Sequence, residues 1–301
     1  MFKTYTVNND FHGVRFDKWF KNEVLDIPHS LIEKIIRQNK IKVNKKKTKP
    51  SYRVQHGDKV DVYEITKFKP KEKNATYKYK PKQQELYDYD NNIIENNENF
   101  LIINKPSGIP VQSGTKSFKN IIDILKDSKY FEGQKPYIVH RIDKETSGIL
   151  IIAKNRKFAQ LFTSLFRIRK IHKTYLAFTY GKISKSIKTL NDNLIYFDKN
   201  KKIEQNAISH LKVIRSNDLY SFVELKPITG RKHQLRKQLF NLGNPIIGDK
   251  KYFIFKNSLK IKNLMLHAYK IKFMINNKKF NFKAEVPDYF NNYLNKKRLI
   301  I

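Results

Sequence analysis

The chain contains no cysteine, which excludes disulfides, thiolate metal sites and a cysteine nucleophile. Glycine is scarce, with 10 in 301 residues, about half the usual share. Nearly all of these glycines fall at apparent turns or element ends. Long apolar runs are missing too, and a run of about five residues is far short of the roughly 20 that span a bilayer. The opening MFKTYTVNNDF lacks the apolar stretch of a secretory signal. These absences together lead us to expect a cytoplasmic protein.

Acidic residues are few: 27 against 62 basic ones, a net charge of +35. Such a surface attracts polyanions, nucleic acid first. An anionic membrane is the weaker reading, because no basic amphipathic anchor stands out. Arginine is itself rare among the cations, 11 against 51 lysines. Where lysine is the default cation, an arginine marks a task that needs a planar, permanently charged fork. Arg141, Arg167, Arg169, Arg231 and Arg236 all fall in or beside the densest motifs.

The remaining pattern divides the chain. In residues 11–64, Phe16, Trp19 and Phe20 have helical spacing, and Pro28-His29-Ser30 opens a second helix with Leu31, Ile32, Ile35 and Ile36 inward. IKVN (41–44) and DKVDVY (58–63) alternate like strands. Lys40, Lys42 and Lys45 belong to a lysine cluster that is either a solvated loop or a phosphate-gripping surface. Residues 65–90 show no amphipathic period and read as a linker. From 91 to 301 strands dominate, with helices expected near 121–125, after Asn155 and over 232–242, and a hairpin turning at Asn276-Asn277. The pattern reads as an α+β domain with a mostly antiparallel mixed sheet, preceded by a small α/β unit at 1–64.

Three stretches could carry chemistry, and each has a bland alternative. In HRIDKETSG (140–148), Asp143 stands among cations before a buried strand, where an ordinary turn would serve. A glycosidase would need a second opposed carboxylate, and Glu145 cannot be assigned that place. No histidine pair has metal-ligand spacing. In KTYLAFTYG (173–181), Tyr175 by itself reads as a core aromatic. In TGRKHQLR (229–236), Arg231, His233 and Arg236 surround a helix start suited to phosphate, or else form a basic helix end.

Together and in this order these stretches, with NKPSG (104–108), GNPIIGD (243–249) and LMLHA (264–268), resemble the RluA-type pseudouridine synthases. The resemblance covers nearly the whole chain. Residues 27–60 resemble an S4 RNA-binding domain, with Asn39 and Lys45 where glycine is common. Ile142 replaces the family's usual leucine at similar volume. NKPSGIPVQSGT leans toward the C-type synthases that act on the large ribosomal subunit, with D-type specificity or a non-catalytic RNA-binding protein as alternatives.

The resemblance implies conversion of uridines to pseudouridine at several sites of 23S ribosomal RNA, or of a large-subunit assembly intermediate. It makes Asp143 the nucleophile or base near C1′ or C6, with a glycal route also open. It pairs Arg236 with Asp143, packs Tyr175 on the uracil, where it assists proton removal at C5, and inserts Arg141 into the RNA to hold a flipped base. It implies no metal, nucleotide or organic cofactor, no small-molecule substrate, no membrane partner and a monomer.

Overall fold

The computed structural model describes residues 2–64, 79, 81–113, 119–132, 134–198, 201–253, 261–297 and 299. The chain divides into two compact units, residues 1–77 and 78–301.

The first unit runs β1 (Phe2–Thr6), α1 (Phe16–Glu23), α2 (His29–Arg37), β2 (Ile41–Val43), β3 (Lys46–Lys47) and β4 (Lys59–Tyr63). Its antiparallel sheet has the order β1-β4-β2-β3. Phe16, Trp19 and Phe20 of α1 meet Ile32, Ile35 and Ile36 of α2 in one core with Val60 and Val62. Both helices therefore bury the stripe their spacing predicts. β1 was not legible in the sequence because four of its five residues are exposed. Asn39 has φ 55°, and Asn44-Lys45 turn β2 into β3 at φ 49° and 64°. Lys45 thus takes the left-handed conformation despite its Cβ penalty.

The second unit opens with α3 (Gln83–Asp90), β5 (Ile93–Asn96), β6 (Phe100–Lys105), α4 (Ile121–Lys126), β7 (Tyr137–Ile138), β8 (Ser147–Ala153) and α5 (Arg156–Arg167). It continues with β9 (His172–Tyr180), β10 (Thr189–Asp198), β11 (Lys201–Ser216), β12 (Tyr220–Pro227), α6 (Gln234–Asn241), β13 (Leu266–Ile275), β14 (Lys278–Lys283) and α7 (Asp288–Lys296). The main sheet has the order β10-β11-β12-β9-β13-β8-β6-β5, with β14 beside β13 and β7 beside β8. Every pairing is antiparallel except β13 with β8. β8 is buried along its whole length, which explains why its sequence is continuously apolar rather than alternating.

Part of the expected linker, residues 65–78 and 80, lies outside the described residues. Residues 83–90, also read as linker, form α3. Leu86 and Tyr89, three residues apart, join the core that contains Ile121, Ile124 and Leu125 of α4. Tertiary packing makes this helix, not a periodicity visible along the chain. The Asn155 side chain caps α5 by accepting from the Phe158 amide at 3.0 Å, as expected. The Asn276-Asn277 turn has φ 49° and 62°, as a two-residue hairpin requires.

Candidate active site

The loop before β8 is tied down by backbone and by β6. The Thr146 amide donates to the Asp143 carbonyl at 3.1 Å, and the Gly108 amide to the Lys144 carbonyl at 2.9 Å. Ser107 Oγ donates to the Glu145 carbonyl at 2.6 Å. Lys105, fully buried at the end of β6, sends its ammonium to the carbonyls of Pro106 (2.7 Å), Ile109 (2.9 Å) and Lys144 (3.1 Å). One lysine thus fastens the 106–109 turn to the loop that carries Asp143.

Burial pushes the Lys105 ammonium down to about 7, against the pull of Glu145 and Asp143. The sign of the pH effect follows. The folded pKa lies below the unfolded value, so between pH 7 and about 10.5 the unfolded chain binds the extra proton. Wild type is expected to gain stability relative to Lys105→Met as pH rises through that window, approaching about 1.4 kcal/mol per pH unit. Urea unfolding of both proteins at pH 7 and pH 9 measures it. A pH-independent difference would contradict this titration.

Asp143 faces a cavity of about 800 Å³ that Tyr175, His233 and Arg236 also line. A neighbouring cavity of about 760 Å³ shares Asp143, His233 and Arg236. The Asp143 carboxylate is 27% exposed and lies 3.4 Å from Arg236 Nη1 and 3.7 Å from His233 Nε2. The anticipated Asp143–Arg236 pairing is therefore present, but long for a charge-assisted bond. The tight partner of Arg236 is Asp249: Nε donates to Oδ2 and Nη2 to Oδ1, both at 2.7 Å. Asp249 also accepts from the amides of Lys251 (2.9 Å) and Tyr252 (3.1 Å). Burial alone would raise the Asp249 carboxyl, but the Arg236 and backbone hydrogen bonds hold it below the usual range. Burial alone would likewise lower Arg236, and Asp249 together with Asp143 keeps it above its ordinary value.

The fork of Arg236 is thereby fixed by one carboxylate and offers Nη1 to the other. The Tyr252 ring lies 5.2 Å from the guanidinium carbon, and its hydroxyl is 2.6 Å from His233 Nδ1. His233 caps α6 in a left-handed conformation at φ 53°. Burial lowers its pKa and outweighs the pull of Asp143, so the imidazole is largely neutral near pH 7. Burial, and then the Asp143 charge, push the Tyr175 phenol well above its ordinary range. It remains a neutral O–H beside the carboxylate. His140 is not a reacting group either. Its Nε2 accepts from the Ile151 amide at 2.9 Å, its ring stacks on Phe166 at 4.7 Å, and burial pushes it down to about 3.

Of the residues singled out in the sequence, Asp143, Tyr175, Arg236, Arg141, Arg231 and His233 come together around this one cavity. Lys40, Lys42 and Lys45 belong to the first unit. There Lys40 pairs with Glu64 at 2.7 Å, Lys42 lies over the Tyr63 ring at 5.6 Å, and Lys45 is exposed in its turn. Asp249 and Lys105 were not legible as site residues. One aspartate after a glycine reads as a turn, and nothing along the chain separates one buried lysine from 50 others. In the first unit, reasoning from the chain also missed buried Asp17, which holds Arg15 at 2.6 Å and His29 at 2.8 Å. Hydrogen bonding to Arg15, with help from His29 and the Lys18 amide, takes Asp17 down to about 2. Strand β10 was missed as well. Its Tyr196 hydroxyl donates to the Lys232 carbonyl at 3.2 Å and so braces the turn before α6.

Fold and site define an α+β enzyme with a reachable carboxylate, Asp143, in a cation-rich cavity. The profile of the RNA pseudouridylate synthase family matches residues 99–241, and that of the S4 domain matches residues 14–60. Ribosomal large subunit pseudouridine synthase C of Buchnera aphidicola subsp. Schizaphis graminum is 33% identical, over 96% of this chain and 95% of that one. The protein of the same description from Rickettsia felis is 35% identical, over 92% and 94%. The solved structure of human RNA pseudouridylate synthase domain containing 4 matches with TM-score 0.62 and 27% identity, covering 72% of this chain and 97% of that one. The chain belongs to the RNA pseudouridylate synthase family, with an S4 domain at its N-terminus. It is an RNA pseudouridine synthase, an isomerase.

Proposed function

We propose that this chain isomerises uridines of large-subunit ribosomal RNA, at several positions of 23S RNA or of an assembly intermediate. The observation that carries the reading is Asp143, a partly exposed carboxylate aimed into a cavity where five arginines and two lysines stand among apolar side chains and Tyr175. The substrate range draws on relatives described as ribosomal large subunit pseudouridine synthase C.

In this reading the target nucleotide leaves its stack and enters the cavity. Asp143 attacks the sugar or the base as the glycosidic bond to N1 breaks. Arg236, immobilised by Asp249, holds the Asp143 carboxylate in its line of attack. Tyr175 packs on the uracil while it turns to present C5, and as a neutral phenol adds no competing charge. Arg141, exposed at the rim, fills the space the flipped base leaves. Asp249 does not act as the second carboxylate of a glycosidase, because its side chain is 1% exposed and both oxygens are engaged. The 1–64 unit grips RNA through Lys40, Lys42 and Lys45, and the second unit, α3 included, does the chemistry. The chain works as a monomer in the cytoplasm.

The test is to incubate the protein with unmodified 23S RNA and map pseudouridine at nucleotide resolution. New pseudouridines at discrete positions are expected. Release of free uracil, or binding without isomerisation, would overturn the reading.

A further inference from the structure

Five of the eleven arginines of the chain line the cavity at Asp143: Arg141, Arg167, Arg169, Arg231 and Arg236. Among the described residues, two lysines line the same cavity, Lys173 and Lys232, and four others line the neighbouring one. A solvated basic surface would draw its cations in the proportions of the whole chain. This wall instead concentrates the residue whose fork fits phosphate oxygens.

Two of the five arginines already have partners. Arg236 is held by Asp249, and Arg231 Nε donates to the Asn206 carbonyl at 3.1 Å. The side chains of Arg167, Arg169 and Lys173 have no hydrogen bond or ion pair among the described residues. They come from one corner, the end of α5 and the start of β9.

The backbone of that corner is informative. After α5, the Arg169 amide donates to the Phe166 carbonyl (3.2 Å) and the Lys170 amide to the Leu165 carbonyl (2.9 Å). This is a Schellman ending, with Arg169 at φ 60° where glycine is usual. A side chain kept in that conformation at the rim of a site points to a role for the side chain itself. Lys173 lies two residues before Tyr175, on the same face of β9. Its ammonium sits 3.9 Å from the point where a Cβ on Gly230 would be, so it overhangs the turn that leads into α6. Lys173 is partly buried, and burial lowers its pKa with no ion pair to offset it among the described residues. A cation in that position is satisfied when an anion arrives.

We propose that Arg167, Arg169 and Lys173 form a phosphodiester-binding wall that grips the RNA backbone flanking the nucleotide held at Asp143. This rests on the reading that the cavity takes RNA, and it names the residues that meet the phosphates. Wall and chemistry are then separate devices. The wall sets how tightly and in what register the strand is held, and Asp143 acts on what the strand presents.

The experiment uses the full chain and unmodified 23S RNA. Affinity over a potassium chloride series, kcat and KM, and the melting temperature are measured for Arg169→Gly, Arg167→Gln and Lys173→Gln. Lys278→Gln is the control. It removes one charge at the start of β14, where Lys278 pairs with Ile275 at the far end of β13, roughly 30 Å along that strand from Leu266 at the cavity. Arg169→Gly is expected to keep or raise the melting temperature, because glycine suits the left-handed position better. Its KM should rise about tenfold and its salt slope flatten by about 0.7 to 0.9, the value for one phosphate no longer neutralised. Lys173→Gln and Arg167→Gln should flatten the slope similarly, Arg169→Lys should restore it, and Lys278→Gln should leave KM unchanged. Wild-type slopes and KM in Arg169→Gly and Lys173→Gln, with the fold intact, would overturn the wall. The two readings fail separately. A wild-type protein that binds RNA but makes no pseudouridine sinks the isomerase assignment, while the slopes still decide the wall.

Discussion

Asp143→Asn is expected to bind ribosomal RNA about as tightly as wild type and to form pseudouridine at least about 10³-fold more slowly. The substitution keeps shape and volume and removes the charge that would attack. Affinity should survive because binding is spread over many cations, with a net charge of +35. Stability should survive because Asp143 is 27% exposed and its contact with Arg236 is 3.4 Å long, a weak pair beside the Asp249 bond. Single-turnover conversion of a tritium-labelled transcript, together with filter binding, separates the two effects. Full activity in this variant would remove Asp143 from the mechanism.

Asp249→Ala should produce the largest loss of stability, about 3–5 kcal/mol. Arg236 is 6% exposed and Asp249 3%, so removing the carboxylate leaves a buried guanidinium without its bidentate partner. The amides of Lys251 and Tyr252 lose their acceptor as well. Activity should fall in the protein that remains folded, since Arg236 is then free to turn fully toward Asp143 and block it. Denaturant unfolding gives the first effect, and turnover at low temperature on the folded protein gives the second. A stability loss below about 1 kcal/mol would mean that the guanidinium is compensated elsewhere. Arg236→Lys should be intermediate, because an ammonium keeps the charge but cannot span both carboxylates.

The two variants separate roles that the sequence leaves merged. Along the chain, Asp143 and Asp249 look alike, each a lone aspartate in a turn-forming context. Asp143 was legible because HRIDKETSG travels with KTYLAFTYG and TGRKHQLR in a recognisable order. Asp249 closes GNPIIGD, a stretch whose pattern assigns it no task. Which carboxylate is bound and which is available depends on burial, and burial is a property of the folded chain.

Local elements were readable for the same reason that some contacts were not. The stripes of α1, α2 and α5, the Asn155 cap and the Asn276-Asn277 hairpin depend on residues within a few positions of one another. Strand β10 interleaves Asn and Asp with its apolar residues, so its pattern is weak until β11 pairs with it along ten residues. Helix α3 exists because Leu86 and Tyr89 reach the core of the second unit.

The sequence by itself determined the class of this protein: two units, no thiol chemistry, a surface for polyanions, and a set of motifs with one aspartate at their centre. Composition and short-range spacing carry that much, since charge, periodicity and turn chemistry are local. Only the tertiary structure decided the rest. It placed Asp143 within reach of Arg236, 93 residues away, and gave Asp249 the tighter claim on that guanidinium. It also buried Lys105 beneath the loop and gathered five scarce arginines on one cavity. Such contacts join residues from distant strands and turns, and no local pattern encodes which cation meets which carboxylate.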